Sequence, residues 1–597
     1  MANLAAAYWG HDSSICLYND QTKTFHVIEI EKLTGIKHYR GHARKEEERE
    51  ILETVLEISE KTLGIKNDYD AFIVGSYSGV NDPHRDNSLA LDPTLVKSIF
   101  NVRNIEWHKR HHRAHAWGAY AQSPWAKEGK TCAAFTADAG GDDGHTHTFY
   151  CHPWVVKPAS HANYDRNDVP QPWPYFFGRN YNLATGLGCQ NMVSKTDSSL
   201  DMAGKVMGMS AYGNRDSYHA FLGRGLINED EEITNMVNPA WIWYRRSYHA
   251  DARQLRSDSI MRTGEQQPDG KKWFNINWGE LPEEINHFQL MVSPFQVTWE
   301  EECDIAAGIQ QQHEENVLQY LREPEVWAEI CRNGKRLILS GGCALNILTN
   351  TRIQEELGLE VFVPPDVTDS GLPFGMLCQY MSINKRYDFV GADIRYAGLP
   401  IQDMPEMFNY RNKFSSAIIS IDQLVGLLKE DKILGLVQGN AEVGPRALGN
   451  RSIICDPKGW DKKDKVNLVK RRESYRPFAP MVRQEDAHIY FDAGSYDNLE
   501  YMNFSVKVRE EYKEQLAAVT HVDGSARVQS VTRKSNAFVY DLLGACGGVL
   551  LNTSFNVKGK PILNTLKEAF QVLEETALDG LVVYNNEKLC YFSTEVL

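Results

Sequence analysis

Residues 107–120, WHKRHHRAHAWGAY, and residues 131–144, TCAAFTADAGGDDG, decide how the rest of the chain is interpreted. His111 and His115 are four residues apart, so on a helix both imidazoles emerge from one face, about one turn apart. A short apolar run from Cys132 to Thr136 predicts a buried strand, followed at once by Asp138 and a double glycine. This pattern suits a mixed nitrogen and oxygen metal site with a phosphate against the glycine backbone. By spacing alone, histidines in a solvated basic helix end are an equally supported alternative.

Composition narrows the class of protein. A chain of 597 residues is too long for one core and predicts two to four domains. A net charge of -15 argues against binding to duplex nucleic acid, and no apolar run reaches the roughly eighteen residues of a membrane span. The 11 cysteines are scattered without a CxxC pair, and the N-terminus lacks a signal-peptide pattern. We therefore expect a cytoplasmic protein with reduced thiols and no membrane partner, and leave open whether it forms a homo-oligomer.

The N-terminal part alternates strands and helices, which predicts an α/β architecture. Leu4–Tyr8 and Ser14–Tyr18 are predicted strands around a polar turn that contains His11 and Asp12. Side chains that satisfy the turn itself are the simpler interpretation of those two residues. For Lys37, in the basic loop IKHYRGHARK, the simpler interpretation is a solvated charge.

Residues 150–278 have a different character, rich in tryptophan, tyrosine, arginine and proline. A packed insertion is the favoured interpretation, and a wall that stacks on a flat substrate group is the alternative. Within it, Gly204 and Lys205 open the stretch GKVMGMSAYG, whose glycines predict a turn that brings backbone N–H groups close to a phosphate. The spacing is not that of a P-loop, so this stretch alone is weak evidence.

A second glycine-rich stretch, SGGCALN, covers residues 340–346. Arg336–Ser340 is a predicted strand that runs into Gly341 and Gly342, followed by Asn346 and a predicted helix. A strand, a double glycine and a helix make a phosphate-binding turn, with the helix N-terminus directed at the anion. Asp369 in PPDVTDSG follows, and an aspartate that caps the next helix is its simplest interpretation.

Taken together, HHRAH, SGGCALN and PPDVTDSG resemble the actin-like metalloprotein fold of the tRNA threonylcarbamoyladenosine enzymes. The chain is more similar still to the O-carbamoyltransferases that tailor antibiotics and nodulation factors, whose pattern GHDSSICLY and GKVMGMSAYG also fit. The resemblance implies that His111, His115 and Asp369 hold a metal, iron(II) or another divalent ion, with Asp138 as a further ligand. It departs from the family where EKLTGIKH replaces a glutamate- and arginine-rich run.

The C-terminal 200 residues carry four dense motifs: GPRALGNRS (444–452), KRRESYRPFAP (470–480), HVDGSAR (521–527) and NTSFN (552–556). Arginine beside proline and glycine places a cation on a constrained backbone, which suits bidentate capture of phosphate. Arg446, Arg476 and Arg527 are therefore predicted to be functional. The motifs resemble the YrdC-like half of the same carbamoyltransferases. We predict an actin-like domain over residues 1–395, with an insertion at 150–300, and a YrdC-like domain over 396–597.

The resemblance also implies a mechanism. Carbamoyl phosphate and ATP, the latter with Mg²⁺, would form carbamoyl adenylate in the C-terminal domain, where clustered cations bind the two anions. A hydroxyl of a small acceptor would then take the carbamoyl group in the N-terminal domain, with His11 as the base. Lys37 is a second predicted catalytic residue. The anion-binding candidates in the C-terminal domain are Arg446, Lys470, Arg476, Arg527, Asn552 and Ser554.

Two other functions fit parts of the chain. The first is a tRNA threonylcarbamoyl enzyme, because both halves of the chain resemble proteins of that class. The fusion of the two halves in this order and the negative net charge favour a small substrate instead. A sugar-kinase-like or chaperone ATPase would need neither the paired histidines nor the arginines. The acceptor is predicted to be a hydroxymethylated pyrimidine nucleotide, with an antibiotic or sugar hydroxyl as the alternative. This prediction depends on Trp241, Trp243, Tyr244, Arg245, Arg246, Tyr248, His249 and Arg253.

Overall fold

The computed structural model describes residues 2–41, 45–75, 91–108, 110–138, 147–151, 155–156, 181, 199–215, 299–494, 496–585 and 587–595. The chain divides into two compact units, Met1–Ala159 with Leu321–Leu597, and Ser160–Tyr320. Most of the predicted insertion, including residues 241–253, lies outside the described residues. The predicted domain boundary at 395/396 falls within the larger unit and stays a prediction.

The first sheet of the larger unit has the strand order β3-β2-β1-β4-β5. Strands β1 to β3 form antiparallel hairpins, whereas β4 runs parallel to β1 and β5 parallel to β4. The central strand β1 is fully buried, and its run of alanines fits a strand covered on both faces. The strands are β1 Asn3–Tyr8, β2 Ser14–Asn19, β3 Thr24–Glu29, β4 Tyr69–Gly75 and β5 Val102–His108.

The second sheet repeats this arrangement. Its order is β8-β7-β6-β9-β10, with β6 antiparallel to β7 and parallel to β9. The strands are β6 Ala133–Ala137, β7 His147–Cys151, β8 Val155–Val156, β9 Arg336–Ser340 and β10 Glu360–Phe362. Two sheets with one shared strand order and direction are the duplicated core of an actin-like fold, so the predicted α/β fold class is confirmed.

Two helices pack closely between these sheets, α4 (His111–Gln122) and α10 (Leu372–Ile383). A Cβ atom at Gly375 would overlap the carbonyl oxygen of Ala114, and one at Gly118 would lie 3.3 Å from the Gly375 Cα. Only glycine permits this backbone approach. It brings the start of α4, with its histidines, next to Asp369, which lies three residues before α10.

The remaining helices belong to the N-terminal half or to the smaller unit. They are α1 Ile30–Thr34, α2 Lys45–Lys61, α3 Pro93–Ile99, α5 Pro124–Lys127, α6 Ser199–Met209, α7 Trp299–Leu321, α8 Pro324–Arg332 and α9 Ile347–Leu357. No helix in the described residues is long and apolar enough to cross a membrane. The nine cysteines whose side chains the structure describes are free thiols.

The C-terminal half is built on a mixed eight-stranded sheet, in the order β11-β20-β19-β12-β13-β18-β14-β17. Apolar residues of α11 and α14 pack against the sheet in one core that includes Leu424, Leu542 and Val582. The elements are β11 Ser415–Ile419, α11 Ile421–Lys429, β12 Leu434–Gln438, β13 Arg451–Cys455, α12 Trp460–Lys470, β14 Ala479–Arg483, α13 Ala487–Tyr490, β15 Val506–Lys507, β16 Ser525–Ala526, β17 Gln529–Val531, α14 Ala537–Cys546, β18 Val549–Ser554, α15 Leu566–Glu575, β19 Gly580–Tyr584 and β20 Leu589–Ser593.

The structure corrects two local predictions. Gly204 and Lys205 lie inside helix α6, so the predicted glycine turn is wrong. Val206 and Met209 are buried on this helix, and their burial outweighs the low helix propensity of glycine. The double glycine at 341–342 does make a turn, but the α-helix after it begins only at Ile347. A short 3₁₀ segment separates the two, so no α-helix N-terminus follows the glycines directly.

Candidate functional site

Four predicted metal ligands converge in the larger unit. His111 Nε2 and His115 Nε2 each lie 3.4 Å from Asp369 Oδ1, and 3.8 and 3.7 Å from Asp138 Oδ2. All four side chains are buried, and one ligand atom from each lies within 4.8 Å of the others. The four residues named from the sequence therefore lie together, and their binding of a metal stays a prediction.

Each ligand is placed by a different element. The histidines occupy the first and fifth positions of α4, and Asp138 follows the last residue of β6. The Gly342 N–H group donates to Asp138 Oδ2 at 3.1 Å, and Gly341, with φ of +82°, lies against the Ala137 backbone. The double glycine that was predicted to bind phosphate thus holds a carboxylate of the cluster in position.

The donor set fits a divalent transition metal. Two ligands about 2.1 Å from one ion at a tetrahedral angle are roughly 3.4 Å apart, close to the separations found here. Among the described residues, His115 Nε2 and Asp369 Oδ1 are buried and make no hydrogen bond. Burial without a hydrogen bond is costly for such groups, and coordination of one cation would remove that cost. Imidazole with carboxylate is a common set for iron and zinc.

Electrostatics at the cluster are dominated by the two carboxylates. Burial opposes ionisation of Asp369, but the neighbouring His11, His111 and His115 hold its pKa far below the usual range. Burial would likewise lower the pKa of His11, yet Asp369 and Asp12 together raise it to about 9. A cation held by the cluster would offset the negative charge that raises the pKa of His11.

Tyr8 belongs to this site although sequence reasoning missed it. Its hydroxyl donates to Asp369 Oδ2 at 2.7 Å, and its ring packs edge-on against His111 with centroids 6.0 Å apart. The contact spans 361 residues along the chain. The available signal was the place of Tyr8 at the end of β1, immediately before the turn that carries His11.

The predicted base His11 reaches the same cluster. Its Nε2 lies 3.2 Å from Asp369 Oδ2, and its Nδ1 lies 3.0 Å from Asp12 Oδ2. The other oxygen of Asp12 is 2.6 Å from His38 Nδ1. The interpretation of His11 and Asp12 as a self-satisfied turn therefore accounts for only part of their contacts, because His38 comes from a separate loop.

The structure brings the predicted cations of the C-terminal half together. Burial and the charge of Arg476 lower the pKa of Arg446 to about 10. Burial, Arg446 and Arg476 lower the pKa of Arg527 well below its usual value. Within the described part of the chain, no carboxylate pairs with Arg446 or Arg527, whereas Glu473 lies 3.6 Å from Arg476. Clustered arginines without matching acids predict an anionic ligand.

Lys470 also lies in this basic cluster. It is buried, and its pKa is lowered by burial and by Arg472, Arg476 and Lys37. Arg472 was not predicted, although it lies in the same motif. Lys37, the second predicted catalytic residue, comes from the N-terminal half, and its charge is among those that lower the pKa of Lys470.

The neutral candidates in the C-terminal half have other partners. Asn552 donates its amide hydrogens to Ala447 O at 3.0 Å and to Gln529 Oε1 at 2.7 Å, so it braces the loop of Arg446. Both N–H groups are used in these contacts, and its predicted role as a donor to phosphate stays a prediction. Ser554 Oγ donates to Asn556 Oδ1 and lies 3.2 Å from Lys470 Nζ, at the edge of the cluster.

The other predicted phosphate ligands belong to different elements. Gly204 and Lys205 lie in the smaller compact unit. Asn346 caps α9 by accepting from the Thr349 N–H at 3.1 Å, a structural role that the N-cap preference of asparagine explains. Asp369 could likewise have been a helix cap, as its simplest interpretation predicted. Its carboxylate instead faces the histidines.

The loop that carries Arg446 packs against the loop that leads to Asp369. Gly444, which precedes Pro445 and Arg446, has a φ of +94° and packs on the loop that leads to Asp369. A Cβ there would lie 2.9 Å from Pro365 O and 3.0 Å from Asp366 Cβ. Any residue with a Cβ atom at position 444 would therefore push these two loops apart. Asn503 also donates to Val363 O and Pro364 O at 3.1 and 3.0 Å.

Comparison with known proteins also assigns the two clusters to different parts of the chain. A family model described as Carbamoyltransferase N-terminus matches residues 85–378, which include all four residues of the metal-ligand cluster. A second, described as Carbamoyltransferase C-terminus, matches residues 425–587, which include the basic cluster.

Individual relatives share about a third of their residues or fewer with this chain. The chain is 35% identical to nodulation protein NolO of Bradyrhizobium diazoefficiens over 299 residues, 47% of this chain and 53% of that protein, so it spans about half of that relative. It is 28% identical to a 3'-hydroxymethylcephem-O-carbamoyltransferase of Amycolatopsis lactamdurans over 594 residues, 96% of each chain. A solved structure of HypF from T. kodakarensis shares 14% identity over 66% of this chain and 50% of that one, with a TM-score of 0.29 that is too low to support an argument.

Proposed function

This chain belongs to the carbamoyltransferase family, and we propose that it transfers a carbamoyl group to a hydroxyl of a small acceptor at the expense of ATP. One observation carries the proposal. A basic cluster, whose Arg446 and Arg527 pair with no carboxylate among the described residues, adjoins a histidine and aspartate cluster through the Gly444 loop, within one compact unit. The first cluster suits polyanionic reactants and the second suits a metal, so the pair supports two consecutive steps in adjoining sites.

The first step belongs to the basic cluster. Carbamoyl phosphate is hydrolysed to carbamate and phosphate, and a carbamate oxygen then attacks the α-phosphorus of ATP and displaces pyrophosphate. Arg446 and Arg527 bind the phosphate oxygens, and Mg²⁺ accompanies the nucleotide. Lys470, whose Nζ donates to Asn556 Oδ1 and to Ser554 O, adds positive charge beside them. Charge-assisted bonds in a buried site stabilise the negative charge of reactants and transition state more strongly than water does.

The second step belongs to the metal-ligand cluster. His111, His115, Asp138 and Asp369 would hold iron(II) or another divalent ion, which supplies Lewis acidity towards phosphate and carbonyl oxygens. The acceptor oxygen forms a bond to the carbamoyl carbon, the bond to AMP breaks, and the hydroxyl proton passes to His11 Nε2. Tyr8 orients the Asp369 carboxylate through its 2.7 Å hydrogen bond.

The test separates this reaction from its rivals. The protein is incubated with ATP and either carbamoyl phosphate or threonine with bicarbonate, and pyrophosphate release is measured. Release with carbamoyl phosphate alone supports the proposal, whereas release with threonine alone indicates a tRNA threonylcarbamoyl enzyme. ATP hydrolysis to ADP at the same rate with either addition indicates a kinase-like or chaperone ATPase. Hydroxylated acceptors are then screened by mass for the gain of one carbamoyl group.

The acceptor is expected to be a hydroxymethylated pyrimidine nucleotide. Residues 241–253 combine tryptophan, tyrosine, histidine and arginine, and such residues stack on heterocycles and bind phosphate. A hydroxymethylpyrimidine nucleoside monophosphate should therefore be carbamoylated at least tenfold more efficiently than its nucleoside. Comparing kcat/KM for these two compounds and a neutral sugar measures the preference. Equal values for nucleotide and nucleoside, or turnover of sugars alone, would contradict the prediction.

A further inference from the structure

The turn that carries His11 is pinned to a distant loop, residues 35–41. The Ser13 N–H donates to Tyr39 O at 3.1 Å, and the Gly41 N–H lies 3.4 Å from Gly10 O. Between these backbone contacts, the Asp12 carboxylate joins His11 Nδ1 at 3.0 Å and His38 Nδ1 at 2.6 Å. The backbone N–H of His38 donates to Glu31 Oε2 at 2.8 Å. The arrangement is a hydrogen-bonded chain that ends on the ring of His11.

The backbone conformation of Asp12 and His38 indicates that these two side chains are required for the hydrogen-bonded chain. Asp12 and His38 both have positive φ, of 55° and 53°, although they lie in separate loops. Non-glycine residues rarely adopt this conformation, and aspartate, asparagine and histidine do so most readily. Glycine would satisfy the backbone at both positions more easily, so the backbone alone does not explain these two side chains. Their mutual contact does explain them.

We propose that Asp12 and His38 are positioning residues, which fix the ring of His11 so that Nδ1 carries its proton and Nε2 faces the metal-ligand cluster. The proposal rests on the proposed function, because it gives His11 Nε2 the proton of the acceptor hydroxyl. Asp12 acts on His11 directly. His38 acts through Asp12, by holding the second carboxylate oxygen and thereby the orientation of the first.

Three variants test the chain of contacts. His38→Gly keeps the positive φ and removes the donor. His38→Asn also tolerates that φ and places an amide N–H where Nδ1 was, so it should restore the contact. Asp12→Asn keeps the shape but can accept from only one of the two histidines. Lys23→Gly is the matched control, because Lys23 also has a positive φ, of 60°, at the far end of the β2–β3 hairpin.

The expected result is a selective loss of turnover. His38→Gly and Asp12→Asn should lower kcat for acceptor carbamoylation about 10- to 100-fold, with the acceptor KM and carbamoyl-dependent pyrophosphate release unchanged. His38→Asn should recover most of the rate, and Lys23→Gly should match the unaltered protein. The double variant His38→Gly/Asp12→Asn should be no slower than Asp12→Asn alone, since both substitutions break one chain of contacts.

A second readout does not depend on turnover. In zinc-loaded, ¹⁵N-histidine-labelled protein, the His11 Nδ1 proton should give a protected low-field resonance, assigned by its loss in His11→Gln. It should weaken or vanish in His38→Gly and return in His38→Asn. If the unaltered protein carbamoylates nothing, the proposed function fails and this signal still tests the positioning. An unchanged resonance in His38→Gly, or a second bound metal ion that His38→Gly removes, would overturn the inference.

Discussion

Asp369→Ala is expected to abolish metal binding and to slow acceptor carbamoylation by more than about a hundredfold, because loss of residues that merely support a metal ligand costs about 10- to 100-fold. The carboxylate is shared by the whole site: Oδ1 lies 3.4 Å from both His111 and His115, and Oδ2 accepts from Tyr8. Metal content by mass spectrometry and the rate of carbamoyl gain by the acceptor measure the two losses.

Carbamoyl-dependent pyrophosphate release should survive in Asp369→Ala, since that step uses the basic cluster. Asp366→Asn is the matched control, because Asp366 is buried in the same loop but its carboxylate accepts from Thr368 and Ser370. It should keep the metal. Loss of both half-reactions in an Asp369→Ala protein that still folds would contradict the assignment of the two steps to two clusters.

Arg446→Ala and Arg527→Ala are each expected to reduce carbamoyl-dependent pyrophosphate release by roughly tenfold to several hundredfold. The reason is loss of charge-assisted bonds to phosphate, each worth about 1.5–3 kcal/mol. Transfer from carbamoyl adenylate supplied to the protein should continue, because the metal-ligand cluster is intact. Pyrophosphate release with ATP and carbamoyl phosphate measures the first effect, and acceptor carbamoylation from added adenylate measures the second.

The same two variants should not lower the thermal stability of the unliganded protein. Burial and neighbouring arginines already disfavour the charge at both positions, as the lowered pKa values of Arg446 and Arg527 indicate. Arg533→Ala is the matched control, an exposed arginine of the same half paired with Asp541 at 2.8 Å, and it should keep full activity. If carbamoyl adenylate does not restore transfer in Arg446→Ala or Arg527→Ala, these arginines have another role.

Local patterns in the sequence sufficed where a single element decides the outcome. The four-residue spacing of His111 and His115 predicts one helix face, and α4 presents both rings on that face because helical periodicity is independent of context. The apolar run before Asp138 predicts β6 with the carboxylate at its end. The arginines of GPRA and HVDGSAR were predicted as functional from residue type beside proline and glycine, and the structure places them in one cluster.

Tertiary structure decided everything that depends on residues far apart in the chain. Tyr8 meets Asp369 across 361 positions, and His38 meets Asp12 from a separate loop, so neither contact leaves a local signal. Burial made residues 204–209 of the glycine-rich stretch part of a helix, and Asn346 and Asn552 have hydrogen-bond partners within the protein. Residue type predicts which chemistry a side chain offers, but only the packed backbone determines whether its polar atoms are already used by neighbours or remain directed into a site.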